Sequence, residues 1–293
     1  MASVANVRAQ AKINLLLRIL GRERSGYHSL ETVFSRLDLC DDVVVRVGVK
    51  GRSLDCGSAE LGAVDENLAY RAAMAYRQTG WPDGFAIEVT KRIPVGGGLG
   101  GGSADAGAVL RALNALRPEP IPHDALLDLA SKIGADVPFL STDSAMALAW
   151  GRGERMLALP PLPPRDVLLL TPPFGISTAD AYSWIAEERG DDYNPVAGEL
   201  TLDMFLQWNN VLKIARNDFE PVVIEKQPLV RTLLSSLRSL GASMAMLSGS
   251  GSTVFGIFDG AFALDASTFD HALGAIPQQT RTADHVEEVV LTD

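Results

Sequence analysis

Cysteine and histidine are scarce in this chain, and the shortage removes several kinds of site. Its 293 residues include two cysteines and four histidines. Cys40 and Cys56 are too far apart for a CxxC metal site, and the histidines show no metal-ligand spacing, so no zinc site is predicted. Two unpaired thiols are typical of a reducing compartment.

Positive charge and long apolar runs are also lacking. The formal net charge is −10, and no cluster of lysine and arginine stands out, so binding to nucleic acid is not expected. No stretch approaches the roughly 18 apolar residues of a membrane span. The opening MASVANVRAQ has no apolar region of a signal peptide. These absences predict a cytoplasmic protein that contacts no membrane, and the length allows two domains.

Glycine, in contrast, is concentrated in the segment KRIPVGGGLGGGSADAGAVLRALNAL, residues 91–116. The apolar residues after the glycines recur at three- and four-residue steps, which predicts a helix with Ser103 as its N-cap and Arg117-Pro118 as its end. The N-terminus of a helix presents unpaired N–H groups, and glycines let an anion approach the backbone closely. The segment therefore predicts a phosphate-binding loop.

Other interpretations of the glycine segment compete with this one. Gly96, Gly98 and Gly101 match GxGxxG, but that pattern is weak alone, and a second helix follows where a dinucleotide-binding unit needs a strand. The pattern GxxxxGK[ST] fails because no lysine precedes Ser103. A flexible linker is rarely followed at once by an apolar helix. A phosphate loop without its own lysine needs a cation from elsewhere in the chain.

One lysine of interest is Lys12, in the segment AKINLLLRIL. The segment alternates with period two, which predicts a strand with Lys12, Asn14, Leu16 and Arg18 on one face. On the pattern alone, a lysine at the exposed edge or end of a strand is the ordinary alternative.

A carboxylate of interest is Asp136, in HDALLDLASKIGADVPF. The apolar spacing predicts a helix with Gly134 as its C′ residue, followed by an extended backbone before Pro138. Asp136 would then lie near the negative end of a helix, which favours the protonated carboxyl group and suits a general base. A water-exposed aspartate in a turn is the alternative.

The second half of the chain has a different order of elements. The proline-rich ALPPLPPRD, residues 158–166, predicts a domain junction. Beyond it the patterns predict a strand, helices, the two strands SMAML and TVFGIF, a short helix near STFDHALGAI and a last strand HVEEVVL, an order that resembles the ferredoxin-like arrangement. The turn SGSGS between the two strands is either a plain hairpin or a second backbone surface at the site.

Three segments together resemble the GHMP kinase superfamily. They are AKINLLLRILGRERSGYHSLET, IPVGGGLGGGSADAGAVLRALN, and GADVPF followed by SGSGSTVF. The resemblance covers essentially the whole chain, including ARNDFEPVV. It implies a two-domain α+β fold, with an N-terminal ATP-binding α/β domain over 1–160 and a C-terminal ferredoxin-like domain over 161–293.

The resemblance also implies a set of functional residues for an ATP-dependent kinase. Asp136 would accept the hydroxyl proton of the acceptor, and Lys12 would neutralise charge on the transferred phosphoryl group. The implied ATP-binding residues are Pro94, Val95, Gly96, Gly97, Gly98, Leu99, Gly100, Gly101, Gly102, Ser103 and Ala104. Mg²⁺ is implied as well, and the sequence leaves its ligands open, with Ser103 and Asp105 as candidates.

The GYH motif implies that the acceptor is a cytidine diphosphate-linked polyol. Tyr27 and Tyr182 would hold the cytosine ring, His28 would bind its edge, and Thr178 and Asn14 would be polar contacts. Ordinary packing is the alternative for the two tyrosines. Two other functions stay open: a kinase for another small alcohol of the homoserine or mevalonate type, and a non-catalytic nucleotide sensor. A monomer or weak homodimer is expected.

Overall fold

The computed structural model describes residues 2–22, 28–57, 61–151, 153–190, 200–264 and 273–293. The strands are β1 (Val4–Arg22), β2 (His28–Val47), β3 (Arg52–Asp55), β4 (Phe85–Thr90), β5 (Met146–Gly151), β6 (Arg155–Leu159), β7 (Asp166–Thr171), β8 (Arg216–Asn217), β9 (Met244–Leu247), β10 (Val254–Ile257), β11 (Ile276–Arg281) and β12 (Val290–Thr292). The helices are α1 (Leu68–Arg77), α2 (Gly101–Leu116), α3 (His123–Ser131), α4 (Val137–Leu140), α5 (Thr178–Arg189), α6 (Trp208–Ile214), α7 (Glu220–Lys226) and α8 (Pro228–Ser239), with 3₁₀ turns at Val64–Glu66 and Leu202–Phe205. Within these ranges, no helix combines the length and the apolar composition that crossing a membrane requires.

The larger sheet has eight strands and carries the glycine loop. Its main order is β12-β1-β2-β4-β3, with β5 and β8 added on β2 and β1, and β6 on β5. The alanine- and leucine-rich face of α2 is buried against this sheet and α1, where the apolar residues of β1 and β2 complete one hydrophobic core. This packing places the N-terminus of α2 beside β1.

Strand β1 is confirmed, but its two faces do not alternate as the sequence predicts. Bulges interrupt its pairing with β2 between Gln10 and Lys12, between Asn14 and Leu16, and between Ile19 and Gly21. Leu16, predicted on the face of Lys12, is buried in the same core as Leu15. Bulges redirect side chains locally, and here they let Lys12 and Asn14 lie together in an interior position.

The smaller sheet confirms the ferredoxin-like arrangement, with the antiparallel order β11-β7-β10-β9. Its second core lies against α5, α7 and α8. The prediction for its last strand is wrong: the fourth strand is β11, and of HVEEVVL only the end enters β12, in the larger sheet. The proline and exposed positions of edge strand β11 gave no apolar pattern to detect. The short helix predicted near STFDHALGAI lies mostly outside the described residues.

The proline-rich segment 158–166 leads from β6 of the larger sheet to β7 of the smaller one. The domain boundary at 160/161 falls in this connection and stays a prediction. Strands β8 and β12 return from the second half of the chain to pair with β1, so the larger sheet is completed by residues on both sides of that boundary.

Candidate active site

The glycine loop forms the floor of a cavity of about 1750 Å³. Gly96, Gly98 and Gly100 have φ values of 71°, 77° and 72°, in the left-handed region that side chains rarely adopt. Residues 94 to 103 all line the cavity. The structure therefore brings ten of the eleven predicted ATP-binding residues to one surface.

Two details of the helix start differ from the prediction. The N-cap of α2 is Gly100, whose carbonyl accepts from Ala104 N at 2.7 Å, so Ser103 lies inside the first turn and is not the cap. Ala104 is buried in the core, away from the cavity. The Ala104 N–H group is therefore already bonded to Gly100 O, whereas the N–H groups before it in the first turn are available to bind an anion.

The SGSGS turn is both a hairpin connection between β9 and β10 and a wall of the cavity. Ser248 Oγ donates to Gly98 O at 3.0 Å, and Thr253 N donates to Gly97 O at 3.2 Å. A Cβ atom on Gly98 would lie 2.2 Å from Ser248 O. Glycine at this position thus allows direct backbone contact between the two halves of the chain, and Gly249 and Ser250 line the cavity.

Lys12 lies in the interior, so an exposed strand-edge position is ruled out. Its residue is 3% exposed, and its Nζ donates to Asn14 Oδ1 at 2.9 Å and to Gly98 O at 3.0 Å. Asn14 in turn donates to Thr32 Oγ1 at 2.8 Å, which fixes its oxygen toward the ammonium group. Since Gly98 belongs to the glycine loop, Lys12 of β1 places an ammonium group directly beside that loop.

Asp136 lies beside this cation, with Oδ2 3.3 Å from Lys12 Nζ and its side chain 30% exposed. Its local setting differs from the prediction. Helix α3 ends at Ser131, Gly134 does not adopt positive φ, and Asp136 directly precedes α4 in a helical conformation. Pro138 does not force an extended backbone because proline is tolerated in the first turn of a helix. Asp136 therefore does not lie at the negative end of a helix, and its closest charged neighbour is the Lys12 ammonium group.

A second buried cation lies behind the glycine loop. Lys91 Nζ donates to Asp41 Oδ2 at 2.5 Å and to Asp105 Oδ2 at 2.7 Å. Burial by itself would lower the pKa of Lys91, but the neighbouring carboxyl groups of Asp105 and Asp41 outweigh burial and raise that pKa. Burial, only partly offset by Lys91, raises the pKa of Asp105 from 3.8 to about 7, and Asp41 adds to the rise. One ammonium group thus faces two carboxyl groups.

This cluster predicts a pH dependence of stability. Folding raises the pKa of Asp105, so this group stabilises the folded state most at a pH below its pKa in the unfolded chain. The free energy of unfolding therefore falls as the pH rises toward and through about 7. As the pH rises from about 5 to about 8, we expect the free energy of unfolding of Asp105→Asn to fall less than that of the wild type. Urea denaturation across this range measures the difference, with exposed Asp128→Asn as the control. Parallel stability curves for wild type and Asp105→Asn would contradict the assignment.

The predicted acceptor residues line the same cavity at His28, Thr178 and Tyr182, a part that we call the aromatic arm. His28 and Tyr182 stack with ring centroids 4.6 Å apart and an interplanar angle of 14°. Thr178 Oγ1 lies 3.2 Å from Ser250 Oγ. Asn14, His28, Thr178 and Tyr182 all line the cavity, whereas Tyr27 is outside the described residues. The structure places His28 against one face of Tyr182.

Electrostatics in this arm favour neutral rings. Burial, followed by the charges of Arg22 and Arg189, lowers the pKa of His28. Burial, with a further contribution from Asp136, raises the pKa of Tyr182 to about 12. A neutral imidazole has one donor and one acceptor nitrogen, so His28 is suited to pair with the polar edge of a planar ligand.

The sequence analysis missed several residues of the cavity. Phe219 packs edge-on against Tyr182 at 4.9 Å, and Asn67 and Lys91 line the arm beyond the glycine loop. Asn67 caps α1 through a bond from Ala69 N at 2.9 Å, so its position before an apolar helix was the available signal. Nothing in the local pattern connected Phe219 with the site, because its contact with Tyr182 joins α5 and the start of α7.

The fold and the site define the class of the protein. Residues 67–146 match the GHMP kinases N terminal domain and residues 199–268 match the GHMP kinases C terminal domain. The chain belongs to this family of ATP-dependent small-molecule kinases.

Particular relatives narrow the comparison. The 4-diphosphocytidyl-2-C-methyl-D-erythritol kinase of Chlorobium phaeobacteroides is 41% identical, over 87% of this chain and 89% of the relative. A crystal structure of 4-(cytidine 5'-diphospho)-2C-methyl-D-erythritol kinase has 33% identity and a TM-score of 0.74, over 95% of this chain and 99% of that one. Homoserine kinase from Cytophaga hutchinsonii has a TM-score of 0.67 at 17% identity, over 99% and 98% of the two chains, a likeness of fold alone.

Proposed function

We propose that the protein transfers the γ-phosphoryl group of ATP to the 2-hydroxyl group of 4-diphosphocytidyl-2-C-methyl-D-erythritol, in the non-mevalonate synthesis of isoprenoid precursors. The observation that carries the chemistry is the Lys12–Asp136 pair, 3.3 Å apart, where the glycine loop meets the aromatic arm. The names of the relatives at 33–41% identity support the acceptor. A nucleotide sensor needs no such pair, and the homoserine kinase shares only the fold.

Asp136 acts as the general base in this proposal. Its partly exposed carboxylate accepts the proton of the acceptor hydroxyl while that oxygen attacks the γ-phosphorus and ADP leaves. Lysine has three N–H donors, and two of those of Lys12 are directed to Asn14 and Gly98. The remaining donor and the positive charge serve Asp136 and the phosphoryl group.

The phosphates of ATP bind at the glycine loop and the first turn of α2. Gly100 faces the Lys12 side chain, whereas Gly102 faces Leu68, so the two ends of the loop border different arms of the cavity. The nucleoside of ATP occupies the arm at Asn67, Leu68 and Lys91. The acceptor then enters from the side of Lys12.

Mg²⁺ accompanies ATP in kinases of this type, held mainly by the phosphates. The described residues contain no group of three or more histidine, cysteine, aspartate or glutamate side chains that could hold a metal. Asp105 fits less well, because Lys91 occupies its Oδ2 and only its buried Oδ1 has no hydrogen-bond partner. Ser103, at the cavity and in the first turn of α2, is the candidate that fits by position.

Cytosine binds in the aromatic arm in this proposal, with its ring against Tyr182 and its edge paired with His28. The His28 ring lies at stacking distance from Tyr182, so it rotates to admit the base. Tyr27 supplies the second aromatic face. A cytoplasmic location and a monomer or weak homodimer complete the proposal.

Base specificity tests this function. We expect kcat/KM for the cytidine substrate to exceed that for its uridine analogue by at least about tenfold, because a polar edge read by hydrogen bonds rejects a mismatch. Tyr182→Leu should raise the acceptor KM by about tenfold, since base stacking is worth roughly 1 to 3 kcal/mol. His28→Ala should narrow the preference between the bases, and the KM for ATP should not change.

Steady-state kinetics on purified variants provide the measurement, with L-homoserine and mevalonate as further acceptors. Tyr70→Leu is the matched control, because Tyr70 packs on Phe85 at 5.6 Å and does not line the cavity. Equal kcat/KM for the two bases in the wild type would exclude the cytidine substrate. Preferential turnover of homoserine or mevalonate would establish the alternative kinase.

A further inference from the structure

Arg36 is a buried cation close to the site that the proposed chemistry does not use. It lies on β2 opposite Lys12 of β1 and is 2% exposed. Among the described residues no carboxylate forms an ion pair with it. A buried charge without a carboxylate is costly, so its partners are of interest.

Those partners are the carbonyl groups at the end of α4. Arg36 Nη2 donates to Phe139 O and Thr142 O, both at 2.9 Å, and Nε donates to Ser144 O at 3.0 Å. A guanidinium group at the C-terminus of a helix satisfies its free carbonyls and its negative end. Arg36 thus fixes one end of the helix whose other end begins directly after Asp136.

A stack of rings connects the same arginine to the catalytic lysine. The guanidinium carbon of Arg36 lies 4.9 Å from the Phe139 ring centroid, and Phe139 stacks on Phe34 at 4.9 Å and 15°. Lys12 Nζ lies 5.7 Å from the Phe34 centroid. Two cations therefore enclose a pair of rings, one ring from β2 and the other from α4.

Helix α4 is also held from the opposite side. A Cβ atom on Gly107 of α2 would lie 2.5 Å from Leu140 O, so the two helices meet backbone to backbone. The segment after Asp136 is consequently enclosed by Arg36, the ring stack and α2. Loss of the arginine removes a donor from the carbonyl groups of Thr142 and Ser144, whereas Phe139 O keeps its bonds from Thr142 N and Oγ1, so the turn that follows α4 loses its anchor.

We propose that Arg36 is a positioning residue for phosphoryl transfer: it holds α4 in place and thereby keeps Asp136 within reach of Lys12 and the acceptor hydroxyl. The inference rests on the proposed role of Asp136 as the base. A displacement of about 1 Å in a reacting group can cost about 10²-fold in rate. Loss of Arg36 should therefore lower kcat.

A double-mutant cycle tests this role. Arg36→Met should lower kcat by about 10- to 100-fold, with both KM values within about threefold. In the Asp136→Asn background the same substitution should change kcat by less than about threefold, because residues that act through one another are non-additive. Arg36→Lys, which keeps the charge and loses the forked geometry, should lie between wild type and Arg36→Met.

The control is Arg117→Met, at the far end of α2, where Arg117 binds Thr79 and lies 5.9 Å from the Tyr76 ring. It should lower the free energy of unfolding without changing kcat. If Arg36→Met does not fold, Arg36→Lys replaces it in the cycle. The positioning role would be overturned if the effects of the Arg36 and Asp136 substitutions on kcat multiply in the double mutant. It would also be overturned if Arg36→Met leaves kcat unchanged. A near-normal kcat of Asp136→Asn alone would instead overturn the proposed base, and the inference with it.

Discussion

Replacement of Asp136 with asparagine is expected to lower kcat by about 10²- to 10⁴-fold, the usual contribution of a general base. The amide keeps the shape of the carboxylate but cannot take the hydroxyl proton. The KM for ATP should stay within about threefold, because the proposed phosphate contacts are made by the glycine loop and not by this side chain. Single-turnover phosphoryl transfer with saturating ATP measures the chemical step.

The matched control is Asp128→Asn, an exposed aspartate of α3 that does not line the cavity. It should leave kcat unchanged. Lys12 keeps its bonds to Asn14 and Gly98 in the Asp136 variant, so the free energy of unfolding should change little. A kcat near that of the wild type would remove Asp136 from the proton transfer.

Substitution of Gly102 should separate phosphate binding from stability. Gly102 is exposed at the start of α2, and an added Cβ would meet only Leu68 Cδ1, at 3.7 Å. Leucine there would keep the phosphates from the first amides of α2. Since hydrogen bonds to charged groups are worth about 1.5 to 3 kcal/mol each, the KM for ATP should rise by about 100-fold.

The neighbouring glycines are less informative targets. A Cβ on Gly100 would lie 3.0 Å from Lys12 Cγ, and one on Gly101 would lie 3.0 Å from Ile93 Cγ2. Gly102→Ala is the better companion, because alanine in place of glycine favours a helix by roughly 0.5 to 1 kcal/mol. In Gly102→Ala, the affinity for ATP should therefore fall while the thermal stability rises. Raised stability with unchanged ATP affinity would show that the phosphates do not approach this turn.

Local patterns were sufficient to predict the main elements of the site. The period of two in AKINL places Lys12 and Asn14 on a strand, and the glycines before an apolar helix predict the phosphate loop. Both features depend on interactions between near neighbours in sequence, such as free amides at a helix start. The family resemblance implied Lys12 as the cation that the loop lacks, and in the structure Lys12 Nζ lies 3.0 Å from Gly98 O.

Features that depend on distant contacts were not predictable in the same way. The bulges of β1 follow from its pairing with β2, and they bury a strand face that the alternation assigned to polar residues. The helical conformation around Asp136 follows from the packing of α4 on Gly107 and Arg36, which outweighs the usual preference of a residue before proline. Edge strand β11 is held by β7 and carries little apolar signal of its own.

The pairing of β1 with β12 and β8 has a consequence for how the enzyme is assembled. Val4 lies opposite Thr292, and Leu16 lies beside Arg216, so the strand that carries Lys12 is completed by segments from far along the sequence. Such distant contacts make folding slow, because chain entropy is lost before they form. The wall of the glycine loop, at Ser248, arrives from the same distant part of the chain. Until these distant segments have joined β1 and the loop, the cavity lacks one wall, so the site forms only together with the tertiary fold.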